Sequence, residues 1–265
     1  MPRARSSTSL ALITGGAGAI GRATARRLLA DGYRVAICSR TEASVARALS
    51  ELAAGTHAVG VVGDLAEPED ARRVVDEAVA RLDGLNVLIN AHGIQGRIAA
   101  IADLEPADWL ESLRTNLLGP VATTTAAIGH ISATGGGAIV NVASIDALRA
   151  EVGVAAYGVS KAGLLAFTQY AAAELADAHI RVNAVAPGWV RTPMTERAIK
   201  AAGADRGRWA NNALGRPAEP DEVAAVIAFL ASPDASYVTG EVLVADGGQV
   251  VLMRELGLRH PPAAL

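Results

Sequence analysis

Seven short aliphatic runs alternate with six longer, alanine-rich stretches of helical period, and this alternation limits the fold more than any other feature of the chain. The runs are Leu10–Thr14, Arg34–Cys38, Ala58–Val62, Val87–Asn90, Ala138–Val142, Arg181–Val185 and Glu241–Val244. The helical stretches are Ile20–Ala30, Glu42–Leu52, Pro68–Arg81, Pro106–His130, Ala155–Ala178 and Pro220–Leu230. Strands separated by helices imply crossover connections, and therefore a parallel sheet covered on both faces. The runs are apolar almost throughout, as expected of strands buried on both sides. The expected class is α/β, with one doubly wound domain.

Composition supports that reading and excludes several others. Of 265 residues, 51% are hydrophobic and 19% charged, so the chain can bury a core, and intrinsic disorder is not expected. Aromatics are only 3%, leaving alanine, valine and leucine to build the interior. A net charge of −3 supplies no electrostatic footprint for nucleic acid or for an anionic membrane. A single cysteine, Cys38, excludes an internal disulfide and a multi-thiolate metal site. No apolar run reaches the ~18–20 residues of a membrane span, and Leu10–Ile13 is too short for a signal-peptide core. The expectation is a cytoplasmic protein with no nucleic-acid, membrane or metal partner. Residues 1–9 read as a flexible segment, 10–249 as the domain and 250–265 as a tail. Within the domain, Asp31-Gly32 is a helix stop and Gly135-Gly-Gly137 a turn into the fifth strand. Pro68, Pro106 and Pro220 are helix starts, and 193–216 is long enough to act as a lid.

The first strand–helix junction reads Thr14-Gly-Gly-Ala-Gly-Ala-Ile-Gly21. Gly16, Gly18 and Gly21 have the G-x-G-x-x-G spacing that brings backbone close to a pyrophosphate at a helix N-terminus. Gly15, Gly18, Ile20 and Gly21 are the cofactor candidates in this turn. The second strand ends Ser39-Arg40-Thr41. An acid near this point binds a ribose 2′-hydroxyl, whereas an arginine accommodates a 2′-phosphate. Arg40, helped by the hydroxyls of Ser39 and Thr41, points to NADP(H) over NAD(H). Glu42 reads as a first-turn helix residue favoured by the dipole rather than as an NAD-type acid.

Tyr157-Gly-Val-Ser-Lys161 sets a phenol and an ammonium at i and i+4 on one helix face. Carbonyl reduction by hydride needs a proton donor, and a phenol near pKa 10 suits that task at neutral pH only with help from a nearby cation. Ser144 lies thirteen residues before the tyrosine, at the C-terminal end of a strand where open α/β sheets bind ligands.

With these motifs in this order, the chain resembles the short-chain dehydrogenase/reductase family, in the main branch with a glycine-rich TGxxxGxG turn and a YxxxK motif, from about Leu10 to Gln249. The resemblance implies a seven-stranded Rossmann-type sheet and a homotetramer or homodimer built through the long helices. It implies Tyr157 as acid/base, Lys161 lowering the tyrosine pKa and binding ribose, and Ser144 orienting the substrate oxygen. Asn116 would support a water-linked proton relay. Asp64 and Leu65 would flank adenine, Asn90 and Gly93 would form the turn near the adenosine ribose, and Pro187, Gly188, Val190 and Thr192 would lie beside the nicotinamide amide. Val238-Thr-Gly240 and Asp246-Gly-Gly248 match the C-terminal signature. Two departures stand out: Ala19 replaces the family's usual glycine, and the family's Asn-Asn-Ala-Gly reads Asn90-Ala-His-Gly93, which places His92 in that turn as a packing histidine able to tune the site.

By the same resemblance, Ile94, Gln95, Arg97, Ile145, Asp146, Glu151, Val152, Trp189 and Met194 would line a substrate pocket. Their mixture of polar and apolar groups suits a keto sugar, a 3-oxoacyl compound or another polyfunctional carbonyl. The implied activity is interconversion of a ketone and a secondary alcohol; the alternative is a non-catalytic NADP(H)-binding regulator.

Overall fold

In the computed structural model, which describes residues 9–203, 209 and 211–252, the strands are β1 (Leu10–Thr14), β2 (Arg34–Ser39), β3 (Ala58–Val62), β4 (Val87–Asn90), β5 (Gly137–Val142), β6 (Ile180–Pro187) and β7 (Val242–Ala245). They form one sheet in the order β3-β2-β1-β4-β5-β6-β7, with every neighbouring pair parallel. This is the expected seven-stranded, doubly wound Rossmann-type sheet. The helices are α1 (Ala19–Ala30), α2 (Glu42–Leu52), α3 (Pro68–Leu82), α4 (Pro106–Leu113), α5 (Gly119–Ala133), α6 (Ala155–Glu174), α7 (Glu196–Ala201) and α8 (Pro220–Ala231).

Alternation along each strand divides the interior into two cores. Ala11 and Ile13 of β1, Val35 and Ile37 of β2 and Ile89 of β4 pack with Leu28 of α1 and Val223 and Ile227 of α8. Leu12, Ala36, Cys38 and Leu88 point the other way, onto Val74 and Ala78 of α3, Ile131 of α5 and Ala171 of α6. Small side chains at the crossings, Ala25, Ala78, Ala127 and Ala171 among them, let helices lie close to the sheet.

The local stop and start signals act as their chemistry dictates. Gly32 adopts a left-handed φ of 87° and Tyr33 N–H returns to the Leu28 carbonyl at 2.9 Å, closing α1. Pro68, Pro106 and Pro220 open α3, α4 and α8, and reciprocal capping boxes join Glu105 with Asp108 and Glu219 with Glu222.

Beyond small shifts at element ends, three stretches differ from expectation. The single helix expected over Pro106–His130 is broken by a π-helical segment, Arg114–Leu118, between α4 and α5. α6 stops at Glu174, and a separate one-turn 3-10 helix covers Ala176–Ala178. The stretch 193–216 contains a short helix, α7, in its described part. Most of the expected flexible segment 1–9 and of the tail 250–265 lies outside the described residues.

Candidate active site

β1 is hydrogen-bonded to β2 on one side and to β4 on the other, so the chain reverses direction across the sheet at this point. Such a switch point opens a crevice beyond the strand ends. Here a cleft of about 1110 Å³ runs along the C-terminal ends of the strands, from Arg40 after β2 to Thr192 beyond β6.

The left half of the cleft is built from backbone. Gly15, Gly18, Ile20 and Gly21 line it, and Gly18 N–H closes the turn on the Gly15 carbonyl at 2.9 Å. Gly15 sits at φ 65°, and a Cβ there would meet the His92 backbone nitrogen at 2.8 Å. A Cβ on Gly21 would overlap the Gly15 carbonyl oxygen. Ala19 is compatible with the turn, since it is not among the residues with positive φ and simply opens α1. Gly18 caps α1 without a side-chain bond, and the first turn carries no acidic residue. The free N–H groups and positive dipole of α1 therefore face the cleft, a fit for a pyrophosphate.

Ser39 and Arg40 line the next stretch, as do Asp64 and Leu65 after β3. Arg40 is exposed and has no hydrogen bond or ion pair among the described residues. Thr41, by contrast, lies outside the cleft lining: its hydroxyl accepts from Ser44 N–H at 3.2 Å and caps α2. Arg22 and Arg47 also line the wall, Arg22 being paired with Glu51 at 3.0 Å. The motif reading missed Arg47, whose position within α2 carries no turn-based signal.

The right half is built from buried side chains. Gly93, Ser144, Tyr157, Lys161, Pro187, Gly188, Val190 and Thr192 all line it. Ser144 follows β5 and begins a one-turn helix, while Tyr157 and Lys161 project from the first turns of α6. Lys161 Nζ donates to the Val142 carbonyl at 2.8 Å and lies 5.9 Å from the centre of the Tyr157 ring. Burial pushes the Lys161 ammonium down to about 8. Burial also pushes the Tyr157 phenol up to about 12, against a hydrogen bond from Ser144 that lowers it, and the Asp146 charge adds to the rise. This corrects the expectation of a phenol depressed by Lys161: in the protein alone desolvation dominates.

Asn90 and Asn116 lie behind the wall rather than on it. Asn90 donates to Asn141 Oδ1 at 2.9 Å and accepts from Thr123 at 2.7 Å, and Asn141 donates to Thr168 at 2.9 Å. Its side chain is thus spent on a buried network that couples β4 and β5 to α5 and α6. Asn116 sits in the π-helical segment and binds both backbone groups of Ile94, at 2.8 and 2.9 Å, and Ser160 Oγ at 3.0 Å. No hydrogen bond joins Asn116 to Lys161 among the described residues.

His92 lines the cleft beside the glycine turn, its Nδ1 at 2.7 Å from Thr14 Oγ1 and its Nε2 buried without a partner. Burial, with the Lys161 charge, pushes it down to about 3, so the ring is neutral at physiological pH. Of the other pocket residues, Ile94 and Met194 line the cleft; Gln95, Ile145, Asp146, Glu151 and Val152 do not. Arg97 is paired with Asp108 at 3.2 Å, and Trp189 stacks edge-on against Trp209 with centroids 5.8 Å apart. No helix is long and apolar enough to cross a membrane among the described residues.

A nucleotide-shaped cleft at a switch point, ending in a serine, a tyrosine and a lysine, defines a dinucleotide-fold protein of the oxidoreductase kind. The family profile described as enoyl-(acyl carrier protein) reductase matches residues 15–249. The chain is 35% identical to a protein of Caenorhabditis elegans named dehydrogenase/reductase SDR family member 4, over 90% of this chain and 94% of that one. It is 39% identical to a cis-4-hydroxycyclohexanecarboxylate dehydrogenase of Sinomonas cyclohexanicum, over 90% and 95% of the two chains. A crystal structure of an actinorhodin polyketide ketoreductase with NADPH is similar at a TM-score of 0.86 and 35% identity, over 91% and 97% of the two chains. The chain belongs to the short-chain dehydrogenase/reductase family.

Proposed function

We propose that the protein is an NADP(H)-dependent carbonyl reductase or alcohol dehydrogenase, with Tyr157 as acid/base, Lys161 and Ser144 beside it, and Asn116 supporting a water-linked proton relay. The observation that carries this reading is that Ser144, Tyr157 and Lys161 share one wall of a cleft whose far end is the uncapped start of α1. When bound along this cleft, a nicotinamide cofactor would supply the hydride that the carbonyl carbon accepts. Ser144 Oγ and the Tyr157 phenol hold the carbonyl oxygen, and the O–H bond of Tyr157 breaks as the new alcohol O–H forms. The high phenol pKa keeps this donor protonated at neutral pH, the form that reduction requires. Lys161, buried one turn along α6, stabilises the phenolate left behind and offers its ammonium to the ribose hydroxyls.

Support for NADP(H) is the exposed Arg40 at the end of β2, with Ser39 adjacent and Arg47 on the same wall. Gly15, Gly18, Ile20 and Gly21 would hold the pyrophosphate, Asp64 and Leu65 the adenine, and Pro187, Gly188, Val190 and Thr192 the nicotinamide amide. The substrate is a small polyfunctional carbonyl or its alcohol, and the chain works in the cytoplasm as a homotetramer or homodimer.

The test is Tyr157→Phe. Consumption of NADPH with a ketone panel should fall by about two to four orders of magnitude, the usual range for removing a general acid, while NADPH still binds. A variant that turns over like the parent would remove Tyr157 from the chemistry, and a parent that binds NADPH but reduces nothing would favour the regulator.

A further inference from the structure

His92 lines the cleft where the resemblance has an alanine, and its ring is wedged between the end of β1 and the start of α5. Its Nδ1 lies 2.7 Å from Oγ1 of Thr14, the last residue of β1 and the chain neighbour of Gly15. A Cβ on Gly119, the first residue of α5, would lie 2.6 Å from Nε2 and 2.6 Å from the Leu65 carbonyl oxygen, so the ring has room there only beside a glycine. The His92 main chain closes on the glycine turn itself, where a Cβ on Gly15 would meet its Cα and nitrogen at 2.8 Å. One residue thus touches β1, the turn and α5.

The protons of this contact can be placed. The ring is neutral, and a neutral imidazole carries one N–H. If Thr14 donated to Nδ1, that N–H would sit on Nε2, which is buried without a partner. If Nδ1 donates, Thr14 Oγ1 accepts from it and from Ala91 N–H at 3.2 Å, and the threonine proton goes to the Ile89 carbonyl at 3.2 Å. The second arrangement makes three bonds against two and orphans no buried N–H.

We propose that His92 is a positioning residue for the nucleotide: its Nδ1–H holds Thr14, and with it the glycine turn, in the shape that receives the pyrophosphate. The proposal rests on the glycine turn being the nucleotide site, as argued above. His92 takes no part in proton transfer. It acts on binding, because a turn held in place beforehand loses less freedom when the ligand arrives. The pyrophosphate is common to NADPH and NADH, so the ring serves both alike. Arg40, by contrast, stands at the end of β2, where the two nucleotides differ.

The experiment titrates the parent, His92→Leu and His92→Asn with NADPH and with NADH, without substrate. His92→Leu fills the space but cannot donate, and should weaken both nucleotides by about tenfold with their ratio unchanged. His92→Asn can place an amide N–H where Nδ1 stands, and should recover most of that loss. Thr14→Val should weaken binding in the parent and add little in His92→Leu, since the two act through one bond. Nitrogen NMR of the parent without nucleotide should show the His92 ring, identified by its absence in His92→Asn, protonated on Nδ1 and bare on Nε2. This spectrum and the asparagine variant decide the matter even if His92→Leu fails to fold. Parent-like affinity in His92→Leu, with or without a lower melting temperature, would overturn the proposal and leave a ring that only packs. A proton on Nε2, or an asparagine variant as weak as the leucine one, would overturn it as well. A parent that binds neither nucleotide would remove the cofactor reading on which the proposal rests.

Discussion

The two halves of the cleft are made of different material. Around the glycine turn, the wall is backbone and helix dipole, and the side chains that reach it, such as Arg40, Arg47 and Asp64, are exposed. Around Tyr157, the wall is backed by buried polar side chains that are all bonded: Lys161 on the wall to the Val142 carbonyl and, behind it, Asn116 to Ile94 and Ser160 and Asn90 to Asn141. A site of exposed contacts can be retuned at small cost to the fold. A site of buried, mutually satisfied groups ties activity to stability, since each orphaned partner costs roughly 1–3 kcal/mol.

Lys161→Met probes this division hardest. Turnover should fall by about two orders of magnitude or more, because the buried cation beside the phenol is gone. Stability should move the other way. An unfolded lysine keeps its proton up to pH 10.5, whereas Lys161 in the fold releases it near 8, so the folded charge is penalised at neutral pH. Stability contributed through this group is lowest below about pH 8 and climbs as pH rises from there toward 10.5. The variant should lose that slope and gain on the order of 2 kcal/mol at pH 7, reduced by the lost bond to Val142. Urea unfolding at pH 7 and pH 9.5 checks both statements; a methionine variant weaker than the parent at both values would show that the ammonium helps hold the fold.

Asn141→Ala is the next largest effect, and it acts on stability alone. Asn141 is not itself part of the cleft lining, and its removal takes one of two partners from Asn90 Nδ2, which keeps Thr124, and from the Thr168 hydroxyl, which keeps the Leu164 carbonyl. A loss of about 2–4 kcal/mol is expected from the cavity and the two lost hydrogen bonds together. Residual activity per folded molecule should stay within a few-fold of the parent. A thermal scan with an active-site titration separates the two readouts.

How much of this was legible beforehand follows the same division. The strands could be read because burial on both faces makes them apolar at most positions, as in Leu12 and Ile13 of β1, which point to opposite cores. The glycine turn could be read because its demands are steric and local. The π-helical segment at Asn116 could not: Gly119-Pro120 marks a break within 106–130, but only the bond from Gly119 N–H to the Arg114 carbonyl shows the extra residue in the turn before it. Asn90 read as part of a cofactor turn, but its side chain points back into the sheet, where partners lie 34 and 51 residues away. The raised phenol was equally hidden. An i, i+4 spacing places Lys161 near Tyr157, but only the fold shows its ammonium bonded to the Val142 carbonyl while burial governs the ring.

The smallest expected effect lies in the exposed half and concerns which nucleotide is chosen. Arg40 is the first cation beyond β2 and no acidic partner competes for it among the described residues, so its guanidinium is available to a 2′-phosphate. A charge-assisted hydrogen bond of this kind contributes roughly 1.5–3 kcal/mol. Arg40→Asp should therefore weaken NADPH by at least about tenfold and leave NADH within a few-fold, with the melting temperature close to that of the parent. Arg47 sharpens the outcome, because it lines the same wall and could hold the phosphate alone. If Arg40→Asp leaves the NADPH preference intact but Arg40→Asp with Arg47→Ala abolishes it, the two arginines share the phosphate. If titration shows NADH and NADPH weakened equally, the contact is not to the 2′-phosphate, and the exposed half of the cleft recognises only the part that the two nucleotides have in common.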